Sequence, residues 1–231
     1  MEHVLATTRT EETDHTTAPR RRGRPAGSTP QAISEARLLD AAFHAFATKG
    51  YEGTTVRELA KELGVSHNLI NVRFGAKADL WRRAVDARVA RVAPPVFGAL
   101  DEAGLDDVDR VRELVHRFCG WAVDNPEFVG LTHAEGRRAT WRIQYLADAY
   151  ILPFKHRLDA LLARVAEGRA VRPISTSAFM TMLVQGVGSY FASRPLLECL
   201  GVADEIAPAH IQRQVRVLAE FILAGLLSND D

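Results

Sequence analysis

The stretch "VSHNLINVRF", residues 65–74, carries the side chains with the most specific chemistry in the chain. His67, Asn68 and Asn71 are uncharged donors and acceptors, and at helical spacing they fall on one contiguous face. Ile70 and Phe74 fall to one side of that face, where an apolar core would take them. A carboxamide can pair bidentately with adenine in the DNA major groove, and a histidine can donate to guanine or to phosphate. A solvated surface helix would show the same polar face, so the elements around it have to decide.

Those elements are legible. Thr55 and Glu58 form a Thr-x-x-Glu capping box that opens a helix with the apolar stripe Val56, Leu59, Ala60 and Leu63. Gly64 ends that helix, in a turn where a positive φ is needed, and Ser66 can cap the next one. Upstream, Leu39, Ala42, Phe43 and Phe46 recur at the helical period in a segment stopped by Gly50. Downstream, "KADLWRRAVDARVARV" is a fourth helix ending at Pro94–Pro95. Short helix, glycine turn, short helix is the helix-turn-helix pattern, with Leu59, Leu63, Val65 and Ile70 packing between its two helices. Arg73 stands where an apolar residue is expected, and Phe74 beside it takes that role.

The charge is distributed to match. The chain is neutral overall, yet residues 19–92 hold fourteen lysines and arginines against seven carboxylates, and residues 93–231 hold fourteen against eighteen. A basic module facing a polyanion, followed by an acidic body, is the reading that follows. Residues 1–30 have no apolar period and read as a disordered basic arm ending in "RRRGRP". Pro25 favours an extended backbone at Arg24, and Arg-Gly-Arg-Pro resembles the core of an AT-hook, so Arg22 and Arg24 suit a narrow A/T-rich minor groove.

"LLDAAFHAFATKGYEGTTVRELAKELGVSHNLINVRFGAKADLW", residues 38–81, resembles the N-terminal DNA-binding domain of the TetR family of transcriptional regulators. The motifs that carry the likeness are Phe-Ala-x-x-Gly-Tyr, Thr-Thr-Val-Arg-Glu-Leu-Ala, Gly-Val-Ser and Phe-Gly-x-Lys, in that order. "NPEFVGLTHAEGRR" and "GRAVRP" resemble members of the family more weakly. The resemblance implies DNA contacts from Thr55, Ser66, His67, Asn68, Asn71, Arg73 and Lys77. It also implies an all-helical C-terminal half that dimerises and binds a small molecule. Two departures matter. Asn71 stands where family members usually have a tyrosine that touches phosphate, which leaves both a base and a phosphate open to it. Ala76 replaces the usual Ser or Thr cap before Lys77.

Beyond residue 93 the sequence reads as helices at about 107–125, 126–138, 140–167, 174–193 and 208–227, with no period-two strand. The fold class is therefore all-α. A three-helix head over residues 31–80, with a linking helix to about 92, precedes a larger helical domain over 93–231. The last helix is apolar nearly all round after Val215 and needs cover on two sides. With Phe179, Met182, Gly186 and Tyr190 on the preceding helix, Val215, Ile222 and Leu226 are expected to form a homodimer interface. Trp121, Phe128, His133, Trp141 and Tyr145 in the middle helices are expected to line a pocket for a mostly apolar effector.

Other chemistries find no constellation. There is no His-Glu-x-x-His, no Gly-x-Ser-x-Gly and no glycine-rich phosphate loop after a strand, so no catalytic, cofactor or metal site is expected. Cys119 and Cys199 suit core positions in a reducing cytoplasm. No segment is long and apolar enough for a membrane span. An adaptor that binds only protein would account for the C-terminal half but not for the basic module. The expectation is a dimeric, cytoplasmic transcriptional regulator on a palindromic double-stranded operator, more a repressor than an activator, released by a small molecule.

Overall fold

In a computed structural model, which describes residues 33–168 and 172–227, all the regular elements are helical. The arm with Arg22 and Arg24 lies outside the described residues.

Helix α1 (Glu35–Gly53) opens on Ser34, whose hydroxyl accepts from the Arg37 N–H at 3.3 Å. Gly50, at φ 73°, breaks its helical path, and one further turn carries Tyr51 back onto the core. Such a φ strains any residue with a Cβ, so the stop written into the sequence is a backbone requirement. The Thr54 hydroxyl donates to the Gly50 carbonyl at 2.8 Å and closes this end. Helix α2 (Val56–Glu62) is capped by Thr55 as expected, with the Glu58 carboxylate meeting the Thr55 hydroxyl and not its backbone N–H. Thr55 Oγ1 accepts from the Glu58 N–H at 3.1 Å and donates to the Glu58 carboxylate at 2.9 Å. Gly64, at φ 66°, turns the chain into α3 (His67–Phe74), capped by Ser66 on the Leu69 N–H at 3.1 Å. Helix α4 (Lys77–Val92) starts at Ala76 without a side-chain cap.

Helix α4 ends at Val92, just before Pro94–Pro95 as expected, and the chain re-enters helix at once. Proline at a first helical position costs no hydrogen bond, and α5 (Pro94–Gly98) starts there. The body continues with α6 (Asp107–Asp124), capped by Asp106, and α7 (Pro126–Gly136). Helices α8 (Trp141–Leu146) and α9 (Leu152–Gly168) are joined by a π-helical turn over Ala147–Ile151. A second π segment, Met182–Gly188, joins α10 (Thr176–Thr181) to α11 (Ser189–Ala192). The uninterrupted helices expected over 140–167 and 174–193 are thus each broken by a stretch of wider winding. The short α12 (Arg194–Cys199) and the long α13 (Ile211–Leu226) complete the body. Cys119 is buried as expected, but Cys199, at the end of α12, is exposed.

Two apolar cores form. One joins α6, α9, α10, α11 and α13 through residues such as Leu114, Leu158, Phe191 and Leu223. The other is the core of the head, centred on the fully buried Trp81, and it takes in Leu131 of α7 and Leu146 of α8 from the body. Head and body share further contacts. Phe43 and Phe128 stack with ring centroids 6.0 Å apart, and His44 Nδ1 lies 2.6 Å from Glu127. Arg142, only 5% exposed, forms an ion pair with buried Glu135 at 2.7 Å and lies 4.4 Å over the Tyr51 ring. The head is therefore mounted on α7 and α8 as well as on α4, which the sequence pattern did not reveal.

Candidate nucleic-acid interface and internal cavity

Helix α3 buries only Ile70 and Phe74 and exposes everything else along its length. His67, Asn68 and Asn71 are all on the solvent side, and the Asn71 amide nitrogen sits 3.2 Å from His67 Nδ1. This contact, one helical turn apart, holds the two side chains in register on one face. Leu69 and Val72 are exposed beside them, Val72 at 77%. Sequence reasoning passed over Val72, whose exposed apolar side chain is of the kind that can meet a thymine methyl.

The other predicted contact residues divide. Thr55 and Ser66 are exposed, but their hydroxyls are occupied by the capping bonds described above. Arg73 faces the start of α1 instead of the α3 reading face. Its guanidinium lies 3.5 Å from the Ile33 carbonyl and 4.0 Å from Glu35. Lys77 places its ammonium 4.2 Å over the Tyr51 ring at the N-terminus of α4. That end has free N–H groups and the positive end of a helix dipole, an arrangement that favours a phosphate oxygen. The bidentate Asp40–Arg91 pair, with contacts of 2.6 and 2.8 Å, ties α1 to α4, and the Arg91 guanidinium lowers the Asp40 carboxyl below its ordinary range.

Within the body lies a cavity of about 650 Å³. Its wall is mostly apolar, built from Phe97, Phe118, Trp121, Phe128, Leu146 and Phe154 among others. Both π segments contribute to it, one through Tyr150 and Ile151 and the other through Leu183, Val184 and Gln185. Extra winding of this kind displaces side chains from the ordinary helical register, and it recurs at functional sites. Helix α4 supplies Val89 to the same wall and its C-cap residue Ala93 follows, so the helix that starts at Lys77 finishes at the cavity.

Of the five expected lining residues, Trp121, Phe128 and His133 are on the wall. Trp141 and Tyr145 are not. Trp141 packs edge-on to Trp81 at 5.2 Å and beneath Arg82 at 4.5 Å, on the head side of α8. The Tyr145 hydroxyl donates to Asp86 of α4 at 2.6 Å. Tyr150 donates to the same Asp86 oxygen at 2.6 Å while its ring lines the cavity. Burial, then the hydrogen bond to Asp86, pushes the Tyr145 phenol up to about 12, and both causes raise Tyr150 as well.

The residues expected at a subunit interface also divide. Phe179, Val215 and Leu226 are buried in the chain's own core, so they cannot form an outer face. Tyr190 is half-buried, with its hydroxyl donating to Glu205 at 2.8 Å, and Ile222 is half-buried. Met182 and Gly186 are exposed, and α13 adds exposed Val217 and Phe221, the latter at 74%.

Comparison with known proteins adds three findings. Residues 38–84 match the family of bacterial regulatory proteins, tetR family. The fatty acid degradation regulator FadR from Bacillus halodurans superposes with a TM-score of 0.60 at 18% identity, over 84% of this chain and 97% of that one. The ketosteroid transcriptional regulator KstR2 of Mycobacterium tuberculosis gives 0.60 at 15% identity, over 87% and 98%. The hemolysin II transcriptional regulator HlyIIR gives 0.61 at 20% identity, over 83% and 96%. At these identities the likeness is one of fold. No curated protein matches the sequence. Among the described residues, no helix is long and apolar enough to cross a membrane.

Proposed function

We propose that this chain, whose residues 38–84 match the family of bacterial regulatory proteins, tetR family, is a dimeric transcriptional regulator that reads an operator through α3 and is released by a ligand in its body. The observation that carries this reading is the exposed, uncharged face of α3, with its two core residues turned inward and a phosphate-ready helix end at Lys77 nearby. Asn71 and His67 would read base edges in the major groove, and Val72 a thymine methyl. Lys77 and the first N–H groups of α4 would fix the register on the phosphates.

A single α3 spans only half a site. Two copies related by a two-fold axis would present two such helices to half-sites about one DNA turn apart, which makes the operator palindromic. Met182, Val217 and Phe221 supply the exposed apolar surface for that pairing. Covering Phe221 alone would contribute about 2 kcal/mol.

The cavity supplies the means of release. A ligand shifts DNA affinity only if it prefers the conformation that fits the operator badly. Helix α4 borders both regions, so a ligand pressing on Val89 and Ala93 acts on the element that starts at Lys77. The names of the structural neighbours, regulators of fatty acid degradation and of ketosteroid genes, agree with an apolar effector. The test is electrophoretic mobility of the full-length protein on the DNA upstream of its own gene. A discrete complex that resists a large excess of random DNA is expected. Equal binding to both DNAs would contradict sequence-specific regulation.

A further inference from the structure

The cavity wall has an uneven distribution of charge. Among the described residues, no aspartate or glutamate lines it, and Arg137 is the only lysine or arginine that does. Arg137 caps the C-terminal end of α7 and is exposed. Several arginines of the body are held by carboxylates, among them Arg110 by Asp107, Arg117 by Glu102, Arg142 by Glu135, Arg157 by Asp101 and Arg164 by Asp107, whereas Arg138, Arg213 and Arg216, which do not line the cavity, show no such pair among the described residues. The side chain of Arg137 has no carboxylate or hydrogen-bond acceptor among the described residues, its backbone N–H alone being engaged, by the Glu135 carbonyl. Its guanidinium is therefore a free, permanent cation beside an apolar cavity. The other polar groups on the wall are neutral hydrogen-bonding side chains or already engaged. Thr132 donates to the Val129 carbonyl at 2.9 Å, and His133 lies 3.4 Å from Ser189.

Resting on the reading of this cavity as an effector site, we infer that its ligand is an amphiphilic carboxylate, with the apolar chain in the cavity and the carboxylate on Arg137. A planar guanidinium pairs with a carboxylate through two parallel hydrogen bonds, and no other group on this wall offers that geometry. The apolar wall accounts for the chain, because its aromatic and aliphatic surface gains by covering hydrocarbon and has no polar partner to lose. A cationic amphiphile would meet Arg137 with no acid to offset it. A neutral one would bind through its chain alone. The partial negative charge at the end of α7 opposes an anion there, and a full guanidinium charge at shorter range outweighs it.

Because Arg137 is exposed, water and salt screen its pairing, and the preference it confers is modest, about fivefold. The experiment is a calorimetric titration of the full-length protein without DNA, using decanoate, decanol and decyltrimethylammonium below their micellar ranges. Decanoate is expected to bind about fivefold tighter than decanol, and decyltrimethylammonium most weakly. Arg137→Gln should make decanoate and decanol equal, leaving decanol affinity and the melting temperature unchanged. Arg137→Lys should keep part of the preference. Equal affinities for the unmodified protein, a decanoate preference that survives Arg137→Gln, or no binding of any probe would overturn the inference. Decanoate bound with the expected Arg137 dependence, on a protein that then keeps its operator, would support the inference and count against ligand release alone.

Discussion

The Tyr150 hydroxyl and the Asp86 carboxylate are 2.6 Å apart, and this bond joins the cavity wall to helix α4. Tyr145 donates to the same oxygen, so one acid holds both tyrosines of the α8 region. A ligand that moves the Tyr150 ring would loosen this tie. Tyr150→Phe keeps the ring and removes the bond, and should cost about 1.5–3 kcal/mol of stability, the range of hydrogen bonds to charged groups. Thermal unfolding measures that cost. The same variant should bind decanoate as before and release DNA less completely, which a competition titration would register.

The phenols of this region also set an alkaline limit. Burial, followed by a neighbouring carboxylate, pushes Tyr145 and Tyr190 up to about 12 and raises Tyr150, and burial raises Tyr51. Each therefore has a folded value above the ordinary one of about 10. Their contribution to stability is complete below pH 10 and is lost as pH rises through the folded values. The phenolate absorbance of the native protein should appear above pH 10, and unfolding should follow it. Release of all four phenols near pH 10 with the fold intact would contradict this.

Glu135 and Arg142 form the buried ion pair between α7 and α8, with Thr140 donating to the other Glu135 oxygen at 3.2 Å. Removing one partner strands the other charge away from water. Glu135→Ala should cost about 3–5 kcal/mol. Chemical denaturation would show it, and a loss under 1 kcal/mol would mean that Arg142 finds another partner, such as Glu52 at 3.6 Å.

The subunit interface is open to a direct test. Gly186→Arg adds a charge where a Cβ would meet nothing within 4 Å, and Phe221→Asp adds one on the exposed side of α13. Both should yield folded monomers by sedimentation. Leu226→Ala acts elsewhere, since Leu226 is 2% exposed and its truncation should cost about 2–5 kcal/mol of folding stability. Dimers that persist in both surface variants would place the interface on another face.

The head was readable from its sequence because each of its features is local. Thr55 with Glu58, Gly64, and Ser66 just after Val65 each fix a backbone within four positions, and the structure has them in those places. The body was readable only as helices. Periodicity gives the apolar face of a helix but not which neighbour claims it. Trp141 and Tyr145 share a helix with cavity residues, yet Trp81 and Asp86 of α4 draw them to the head side. Val215 and Leu226 were expected at an interface because the last helix is apolar nearly all round, and Phe179 because it shares a stripe with Met182 and Gly186, patterns that do not say which side faces inward. The π segments at Ala147–Ile151 and Met182–Gly188 have no local signal at all, and they place the wall residues that a regular helix would turn elsewhere. Val72 was missed for a simpler reason: a valine on a helix reads as core, and only the structure exposes it.

The central claim is that α3 reads bases while Lys77 holds phosphate. It is tested most directly by measuring Asn71→Ala and Lys77→Ala on cognate and random DNA across a range of salt. Asn71→Ala should cost about 1–3 kcal/mol on the cognate site and little on random DNA, with the salt dependence unchanged. Lys77→Ala should weaken both DNAs alike and flatten the salt dependence by about one counterion. An Asn71→Ala variant that lost cognate and random binding equally would contradict the base-reading assignment and make Asn71 a phosphate contact.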